Sequence, residues 1–383
     1  MSGERRVLYL SSNGNLFGGA ELCLLDIVRG MRGLGWVPLV VVPFEGGLAE
    51  TLRHEGVEVA VIDMGTLRHR GEIRSPVLLF RLATSVFATL RLYRLVRRRR
   101  IDLVHSNSAV VFSGALAALM ARKPHIWHVR EIPAGPLWAL VRRLILGAST
   151  AAVCISEAVA LHLVGADRDR PGLVRVLPDG VDTATFAPSP VPAEPPLLVG
   201  MVGRLHPHKG HRLFLRAAAL VAGRGTPARF MVVGNVLPQY TELEAELHRL
   251  SVDLGLRETL EWVHHADRPE LAKLLRAMAI VVMPSTWPEG GGLVVLEAMA
   301  SGRPVVATRH GGPVEVVEDG VTGFLVSPSS PDEMAAAIES LLRDPARAAA
   351  VGQRAAARVE GHYSLSRHLA SLDALYREVI PGA

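Results

Sequence analysis

Residues 280–312, IVVMPSTWPEGGGLVVLEAMASGRPVVATRHGG, contain two apolar runs separated by a glycine-rich loop and a helical pattern. The apolar residues 280–283 predict a buried strand that ends at a Pro-Ser pair. Three consecutive glycines follow, residues 293–299 predict a short helix, and residues 304–308 predict the next strand. Such alternation of strands and helices along the chain is typical of α/β architecture.

The loop and the helix after it predict an anion-binding site. The first N–H groups of a helix have no partner within it, and the helix dipole adds positive potential there. Glycines let the backbone approach a phosphate closely. Two carboxylates, Glu289 in the loop and Glu297 in the helix, would flank the bound group and suit vicinal hydroxyls. This combination indicates a phosphate joined to sugars, as in a nucleotide sugar. The alternative is a surface loop followed by a core helix.

The two glutamates have seven residues between them; the second begins the run E-A-M-A-S-G-R-P-V-V-A-T, which is followed by G-G-P-V-E. This pattern resembles the donor-site signature of the retaining GT-B glycosyltransferases of family 4, also called glycosyl transferases group 1. The resemblance implies that Glu297 binds the ribose of the nucleotide and that Glu289 contacts the donor sugar. It further implies that backbone N–H groups at the helix start hold the diphosphate, namely those of Gly291, Gly292, Leu293 and Val294. The family usually has phenylalanine at the position of Gly291.

The chain length and composition predict two domains. Single cores stop growing at about 250–300 residues, and this chain has 383 residues, 49% of them hydrophobic, with mean hydropathy +0.26. The resemblance implies an α/β GT-B fold, with two doubly wound Rossmann-like domains facing a central cleft. We expect an N-terminal acceptor-side domain at 1–186, a proline-rich linker at 187–196 and a nucleotide-sugar-binding domain at 197–360. The helix in 361–383 would cross back to the first domain.

Shorter stretches supply further candidate site residues. Gly18 and Gly19 follow the first predicted strand without a dinucleotide G-x-G-x-x-G pattern, and the resemblance places them at the diphosphate and the acceptor. A tight strand-to-helix turn is the alternative. His128 resembles the family's strand-end histidine that faces the donor sugar, although a structural histidine is the other interpretation. Arg204 and Lys209 follow a predicted strand of the second domain, where they could neutralise a diphosphate or be ordinary surface charges.

The resemblance implies transfer of a hexose from a UDP- or GDP-linked sugar to a glycan or lipid-linked acceptor, with retention of anomeric configuration. We see no dedicated nucleophile, which fits front-face substitution with the donor phosphate accepting the acceptor's proton. The expected catalytic residues are His128, Arg204, Lys209 and Glu289. Residues 206, 208 and 211 are histidines, but no acidic ligand stands among them and family 4 enzymes need no bound metal. We therefore expect neither a metal nor another cofactor.

Cysteine usage and the first residues predict a cytoplasmic protein. Cys23 and Cys154 have no metal-ligand spacing and are expected to be reduced core residues. The start MSGERRVLYL is too short and too quickly polar for a signal peptide. No apolar run of membrane-spanning length is free of charge, so we expect no transmembrane helix.

Positive charge concentrates between residues 64 and 100, which hold ten arginines and one acid, Glu72. Residues 76–100 predict a helix with apolar side chains at helical spacing: Leu78, Leu79, Leu82, Val86, Leu90 and Tyr93. Residues 77–100 could lie on an anionic membrane, on the inner face of the cytoplasmic membrane. An ordinary helix packed on the sheet with a solvated basic end is equally compatible. We do not expect nucleic acid as a partner, because no aromatic stacking platform accompanies the charge.

Three rival functions remain at this stage. A GT-B sugar-nucleotide epimerase would need acidic residues in the first domain that move a proton at the sugar's C2. A glycogen-type phosphorylase would need a far longer chain and a pyridoxal-binding lysine. The third rival is a non-catalytic sugar-nucleotide-binding protein. Only the loss of a site residue would favour it, and the sequence retains all four: His128, Arg204, Lys209 and Glu297.

Overall fold

The computed structural model describes residues 4–16, 18–66, 77–133, 135, 138–165 and 172–380, without the side chains of residues 77–79 and 82. The predicted start of the basic helix at residue 76 and the arginines at 68, 70 and 74 therefore lie outside the described residues. The chain divides into two compact units, Met1–Asp179 with Ser366–Ala383, and Gly180–Leu365.

The first unit contains a parallel sheet whose strands, as far as the structure describes the chain, are ordered β3-β2-β1-β4-β5-β6-β7. The strands are β1 (Arg5–Leu10), β2 (Trp36–Val42), β3 (Glu58–Val61), β4 (Leu103–Ser106), β5 (His125–Val129), β6 (Ala151–Cys154) and β7 (Val174–Val176). The helices are α1 (Gly19–Gly33), α2 (Gly47–His54), α3 (Val77–Arg98), α4 (Phe112–Ala121), α5 (Trp138–Ala148) and α6 (Glu157–Val164). The central strands are buried on both faces, which is why they are almost continuously apolar.

The second unit repeats this arrangement with six parallel strands in its described residues, ordered β10-β9-β8-β11-β12-β13. The strands are β8 (Leu197–Val202), β9 (Ala228–Val233), β10 (Leu260–Val263), β11 (Ile280–Met283), β12 (Val305–Thr308) and β13 (Gly323–Val326). The helices are α7 (His211–Gly223), α8 (Thr241–Asp253), α9 (Arg268–Ala277), α10 (Leu293–Ala300), α11 (Pro313–Val316), α12 (Pro331–Leu342) and α13 (Pro345–His362). Both sheets are doubly wound, as predicted.

The last helix, α14 (Leu365–Val379), packs within the first unit. Its Leu372 and Tyr376 are fully buried in the core formed by β1, α1 and α2. Just after the chain passes from the first unit to the second, Val181 and Phe186 are fully buried in the core of the second unit. The second unit therefore begins at Gly180, some residues before the predicted boundary at 186.

The proline-rich segment 187–196 is held against the second unit by Arg303. The Arg303 side chain is fully buried, and its guanidinium donates to the backbone oxygens of Ser189 and, at 3.0 Å, Pro190. A third bond, 3.2 Å long, goes to the carbonyl of Met278. The guanidinium thus links this segment to the residues between α9 and β11.

Helix α3 forms where the sequence predicts it, but of the predicted apolar residues whose side chains are described, only Tyr93 packs against the core. Val86 is 62% exposed and Leu90 is 39% exposed. The buried residues are instead Ala88, Leu92 and Val96, which follow one another at intervals of four and share a core with the alanines of α4. Small alanines on both helices allow this close packing. No helix among the described residues is long and apolar enough to cross a membrane.

The two cysteines are where the sequence predicts them. Cys23 lies in α1 and Cys154 ends β6, and both are buried and free of disulfide bonds. Burial in apolar surroundings raises the pKa of the Cys154 thiol to about 12, so this group is inert at neutral pH.

Candidate functional site

Two loops meet in the second unit where its strand order reverses. Strands β8 and β11 pair side by side, and their following loops carry Lys209 and Glu289. Lys209 Nζ donates to Glu289 Oε1 at 2.8 Å, and Ser285 Oγ donates to the same oxygen at 2.6 Å. Burial alone would raise the Glu289 pKa, but the Lys209 charge and these hydrogen bonds outweigh it and lower the pKa. The structure thus brings two of the predicted site residues into contact, with Glu289 ionised.

The backbone of these two loops is tied together through glycine. Gly210 has φ +77°, and a Cβ on it would lie 1.7 Å from the carbonyl oxygen of Pro284. Thr286 N donates to the carbonyl of His208 at 2.8 Å, next to this contact. A side chain at residue 210 would separate the loops and move Lys209 away from Glu289.

The third support of the Glu289 loop comes from the end of β12. His310 Nε2 and Thr308 Oγ1 both lie 2.7 Å from the carbonyl oxygen of Ser285. Gly311 has φ +68°, and a Cβ on it would lie 2.3 Å from the Glu289 carbonyl oxygen. The glycine pair after this strand is recognisable in the sequence, but His310 is not, because its only sequence signal is its position at a strand end.

The glycine-rich loop ends on the N-terminus of α10, as predicted. Gly291 is half-buried, and Gly292 caps the helix with φ +91° while its carbonyl accepts from Val295 N at 2.8 Å. The helix begins at Leu293, so the N–H groups of Leu293 and Val294 have no partner within their own helix. These groups are available to an anion, and their predicted role in holding a diphosphate remains a prediction.

Glu297 lies inside α10 and is only 2% exposed. Its Oε1 is 3.6 Å from a guanidinium nitrogen of Arg268, the first residue of α9. The Arg268 guanidinium also lies over the Phe186 ring, 5.4 Å from its centroid. Nothing in the sequence around Arg268 distinguishes it as a candidate site residue. The carboxylate of Glu297 is therefore fixed by a neighbouring helix, and its ribose contact remains a prediction.

Arg204 follows β8 and is half-buried, and it has no ion-pair partner among the residues that the structure describes. In the same loop His208 stacks on Trp287, with ring centroids 5.0 Å apart. Within the described ranges, no group of three His, Cys, Asp or Glu side chains is placed to hold a metal ion.

In the first unit, Gly18 and Gly19 form the junction between the β1 loop and α1. Gly18 is the N-cap with φ −126°, and the atom nearest to a Cβ on it, at 2.4 Å, would be Oε2 at the end of the Glu21 side chain. Gly19 is exposed. Asn107, which follows β4, donates to the carbonyl of Ala20 at 2.9 Å and so ties this junction to the middle of the sheet.

His128 lies near the end of β5 and is fully buried. Its Nδ1 is 3.2 Å from His105 Nε2, and its ring stacks on His368 with centroids 6.2 Å apart. Nearby, Arg130 Nη1 lies 2.5 Å from Asp179 Oδ1. Burial, and then the Arg130 charge, lower the pKa of His128 well below its ordinary value, so the ring is neutral at neutral pH. Its Nε2 has no hydrogen-bond partner among the described residues.

Two parallel, doubly wound units define the GT-B class, and solved structures of that class match the whole chain. HepE from Anabaena in complex with UDP superposes with a TM-score of 0.81 at 25% identity, covering 97% of this chain and 100% of HepE. Residues 17–185 match the Glycosyltransferase Family 4 model, and residues 182–358 match the model for Glycosyl transferases group 1. The two matches together span residues 17–358, with the Family 4 match almost entirely in the first unit and the group 1 match in the second.

Curated relatives are similar to this chain over part of their length. A D-inositol 3-phosphate glycosyltransferase from Mycolicibacterium paratuberculosis is 34% identical over 260 residues, 65% of this chain and 57% of the relative. One from Kineococcus radiotolerans is 39% identical over 223 residues, 52% of this chain and 50% of the relative. The chain thus spans about half of the length of these relatives. The predicted GT-B fold is confirmed.

Proposed function

We propose that this protein is a glycosyltransferase that moves a hexose from a UDP- or GDP-sugar to a glycan or lipid-linked acceptor, with retention of anomeric configuration. The observation that carries the proposal is the Lys209–Glu289 pair beside the N-terminus of α10. A cation, a carboxylate and free helix N–H groups are the chemistry that a sugar diphosphate requires. The UDP complex of HepE favours UDP as the nucleotide, and the name of the curated relatives favours a polyhydroxylated acceptor.

In this proposal each group of the site has one task. Lys209, Arg204 and the N–H groups of Leu293 and Val294 stabilise the charge that develops on the leaving diphosphate. Glu289 accepts hydrogen bonds from hydroxyls of the transferred sugar. Positive charge at the diphosphate comes from these side chains and the helix start, so the proposed reaction requires neither a metal nor another cofactor.

A thermal-shift panel of UDP, GDP, ADP and their sugar conjugates tests the donor site. A ligand at a hundred times its dissociation constant stabilises the folded protein by about 2.7 kcal/mol, which raises the melting temperature by about 5–10 °C for a domain of this size. We expect one nucleotide to raise the melting temperature of the wild type and of Glu258→Ala, an exposed control in the same unit. Glu297→Gln, which keeps the side-chain volume, should lose the shift. Stabilisation by no nucleotide, or equal stabilisation of Glu297→Gln, would count against the donor site.

We also propose that α3 rests on an anionic membrane surface and brings the protein to a lipid-linked acceptor. Phe80 is 67% exposed and Phe87 is 70% exposed. At 100° per residue these phenylalanines share one face of α3 with Arg91, Arg94 and Arg98, all three exposed. Exposed aromatic rings that continue into a row of arginines suit the boundary between acyl chains and anionic headgroups.

Flotation with vesicles of phosphatidylglycerol and phosphatidylcholine tests this contact. Each arginine near an anionic surface contributes about 1 kcal/mol, so Arg94→Gln with Arg98→Gln should weaken binding by about 30-fold. Arg249→Gln with Arg257→Gln removes the same charge from exposed positions of the second unit and should bind like the wild type. Replacing Arg97–Arg100 should likewise release the protein. Failure of the wild type to float at low salt, or equal loss in both double variants, would refute membrane contact.

A further inference from the structure

A chain of buried polar side chains leads from the last helix of the protein to His128. Tyr376 OH, on α14, lies 2.5 Å from His105 Nδ1, and His105 Nε2 lies 3.2 Å from His128 Nδ1. All three side chains are fully buried. The chain of contacts ends at His128 Nε2, which is buried and has no hydrogen-bond partner in the part of the protein that the structure describes.

The lengths of these contacts indicate where the protons are. Tyr376 OH lies 2.5 Å from His105 Nδ1 but 3.4 Å from Tyr9 OH, so we assign the Tyr376 proton to the much shorter contact, with His105 Nδ1. His105 must then carry its own proton on Nε2 and donate it to His128 Nδ1. A neutral imidazole has one proton, so His128 holds its proton on Nε2.

The surroundings keep both histidines neutral. Burial lowers the pKa of His105 and of His128 well below the ordinary value, and the positive charge of Arg130 adds to this effect. His368 Nδ1 bonds to the carbonyl oxygen of Pro178 at 2.7 Å and leaves its ring stacked on His128. The titratable or charged groups that face the pair are Tyr9 from β1, His125 from β5, Arg130 after β5, Asp179, and His368 and Tyr376 from α14.

We propose that Tyr376 and His105 are positioning residues that hold His128 in the tautomer with its proton on Nε2, so that His128 presents an N–H donor, and not an acceptor, to a substrate hydroxyl. This inference rests on the glycosyltransferase function proposed above. The positioning residues never touch the substrate, and they act by deciding whether His128 presents a donor or an acceptor. A residue of the last helix, α14, thereby controls the protonation of a histidine on β5.

The tautomer can be observed directly in protein with ¹⁵N-labelled histidine. Long-range ¹H–¹⁵N correlation spectra distinguish protonated from unprotonated ring nitrogens, and the signals of His128 are assigned by their loss in His128→Asn. We expect a single Nε2–H form in the wild type. Tyr376→Phe keeps the ring that packs edge-on against Trp36 but removes the hydroxyl, so His128 should become a mixture of tautomers. An Nδ1–H form in the wild type would overturn the proposal.

Steady-state kinetics provide the second measurement. Tyr376→Phe and His105→Phe should each lower kcat about tenfold, the factor that one ordinary hydrogen bond supplies, with the donor KM changed less than twofold. His105→Gln should retain most of kcat, because its amide accepts from Tyr376 and donates to His128. Tyr9→Phe removes an equally buried phenol hydroxyl that is not part of the Tyr376–His105–His128 series, and it should behave as the wild type. Equal loss in Tyr9→Phe, or no rescue by His105→Gln, would indicate a merely structural role.

The two measurements separate this inference from the proposed function. If the wild type transfers no sugar from any donor, the proposed function fails, while the spectra still decide whether Tyr376 controls the tautomer of His128. If sugar is transferred but the spectra of Tyr376→Phe match those of the wild type, the positioning role alone fails.

Discussion

Replacing Glu289 with glutamine should change nucleotide binding and sugar transfer in opposite directions. Lys209 is bound to Glu289 at 2.8 Å in the structure, and their side chains are 31% and 21% exposed. A partly exposed ion pair of this kind contributes about 1 kcal/mol or less. Glutamine keeps the size of the side chain and an oxygen for Ser285, but it removes the charge that holds Lys209.

UDP alone should therefore bind up to about fivefold more tightly to Glu289→Gln, since about 1 kcal/mol is no longer spent on separating Lys209 from its carboxylate. The kcat/KM for sugar transfer should fall about 10- to 100-fold, because the charge-assisted hydrogen bonds to the sugar hydroxyls are lost. Isothermal titration calorimetry with UDP and initial-rate kinetics with the sugar conjugate measure the two effects.

Two further variants act as controls. Ser285→Ala removes a hydrogen bond to Glu289 but leaves the charge, so its UDP affinity should stay within about twofold of the wild type. Lys209→Met should weaken both UDP binding and transfer. If Glu289→Gln lowers the affinity for UDP as strongly as it lowers the rate of sugar transfer, the ion pair with Glu289 does not compete with the diphosphate for Lys209.

Other predictions concern stability. Burial lowers the pKa of His125 to about 3, so below about pH 6.5 this histidine binds a proton in the unfolded chain but not in the native protein. The contribution of this residue should make the free energy of unfolding fall by about 2 kcal/mol between pH 7 and pH 5. Urea titrations at the two pH values should show a smaller fall in His125→Gln than in the wild type. Arg303→Met removes the guanidinium donor from the buried carbonyl of Met278 and the part-buried carbonyl of Ser189 and should cost about 3 kcal/mol in urea unfolding, whereas a cost below about 1 kcal/mol would contradict that reasoning. Gly210→Ala forces a Cβ against Pro284 and should lose about 2 kcal/mol of stability together with UDP affinity, measured by unfolding and calorimetry.

The donor-site strands and the helix between them were predictable because their signals are local. The apolar runs of β11 and β12 are bounded by proline and glycine, and α10 begins at Leu293, where the glycines stop. The contact between Lys209 and Glu289 was not predicted, although both residues were named as site residues. It follows from the pairing of β8 with β11, which a sequence pattern alone does not specify.

What the sequence could not provide is the choice of partner for a buried polar group or of packing face for a helix. Arg268 lies beside Glu297 because the start of α9 is close to α10 in the folded protein. Nothing in the sequence near residue 268 indicates that role. Helix α3 has apolar residues on several sides, so its pattern fits more than one packing face. The small residues of α4 select the row that contains Ala88, and the predicted stripe through Val86 and Leu90 stays partly in solvent.

The order in which the chain builds its two units has a consequence for any shortened form of the protein. The segment Gly180–Leu365 is continuous, and its ends meet where Leu365 N donates to the carbonyl of Val181 at 2.8 Å. That segment could be excised with neighbouring termini and remain one piece. The remainder would be two fragments, and the smaller one carries Leu372 and Tyr376, which fill the interior of the larger. Trimming the end of this protein would therefore remove part of an interior that belongs to its first half.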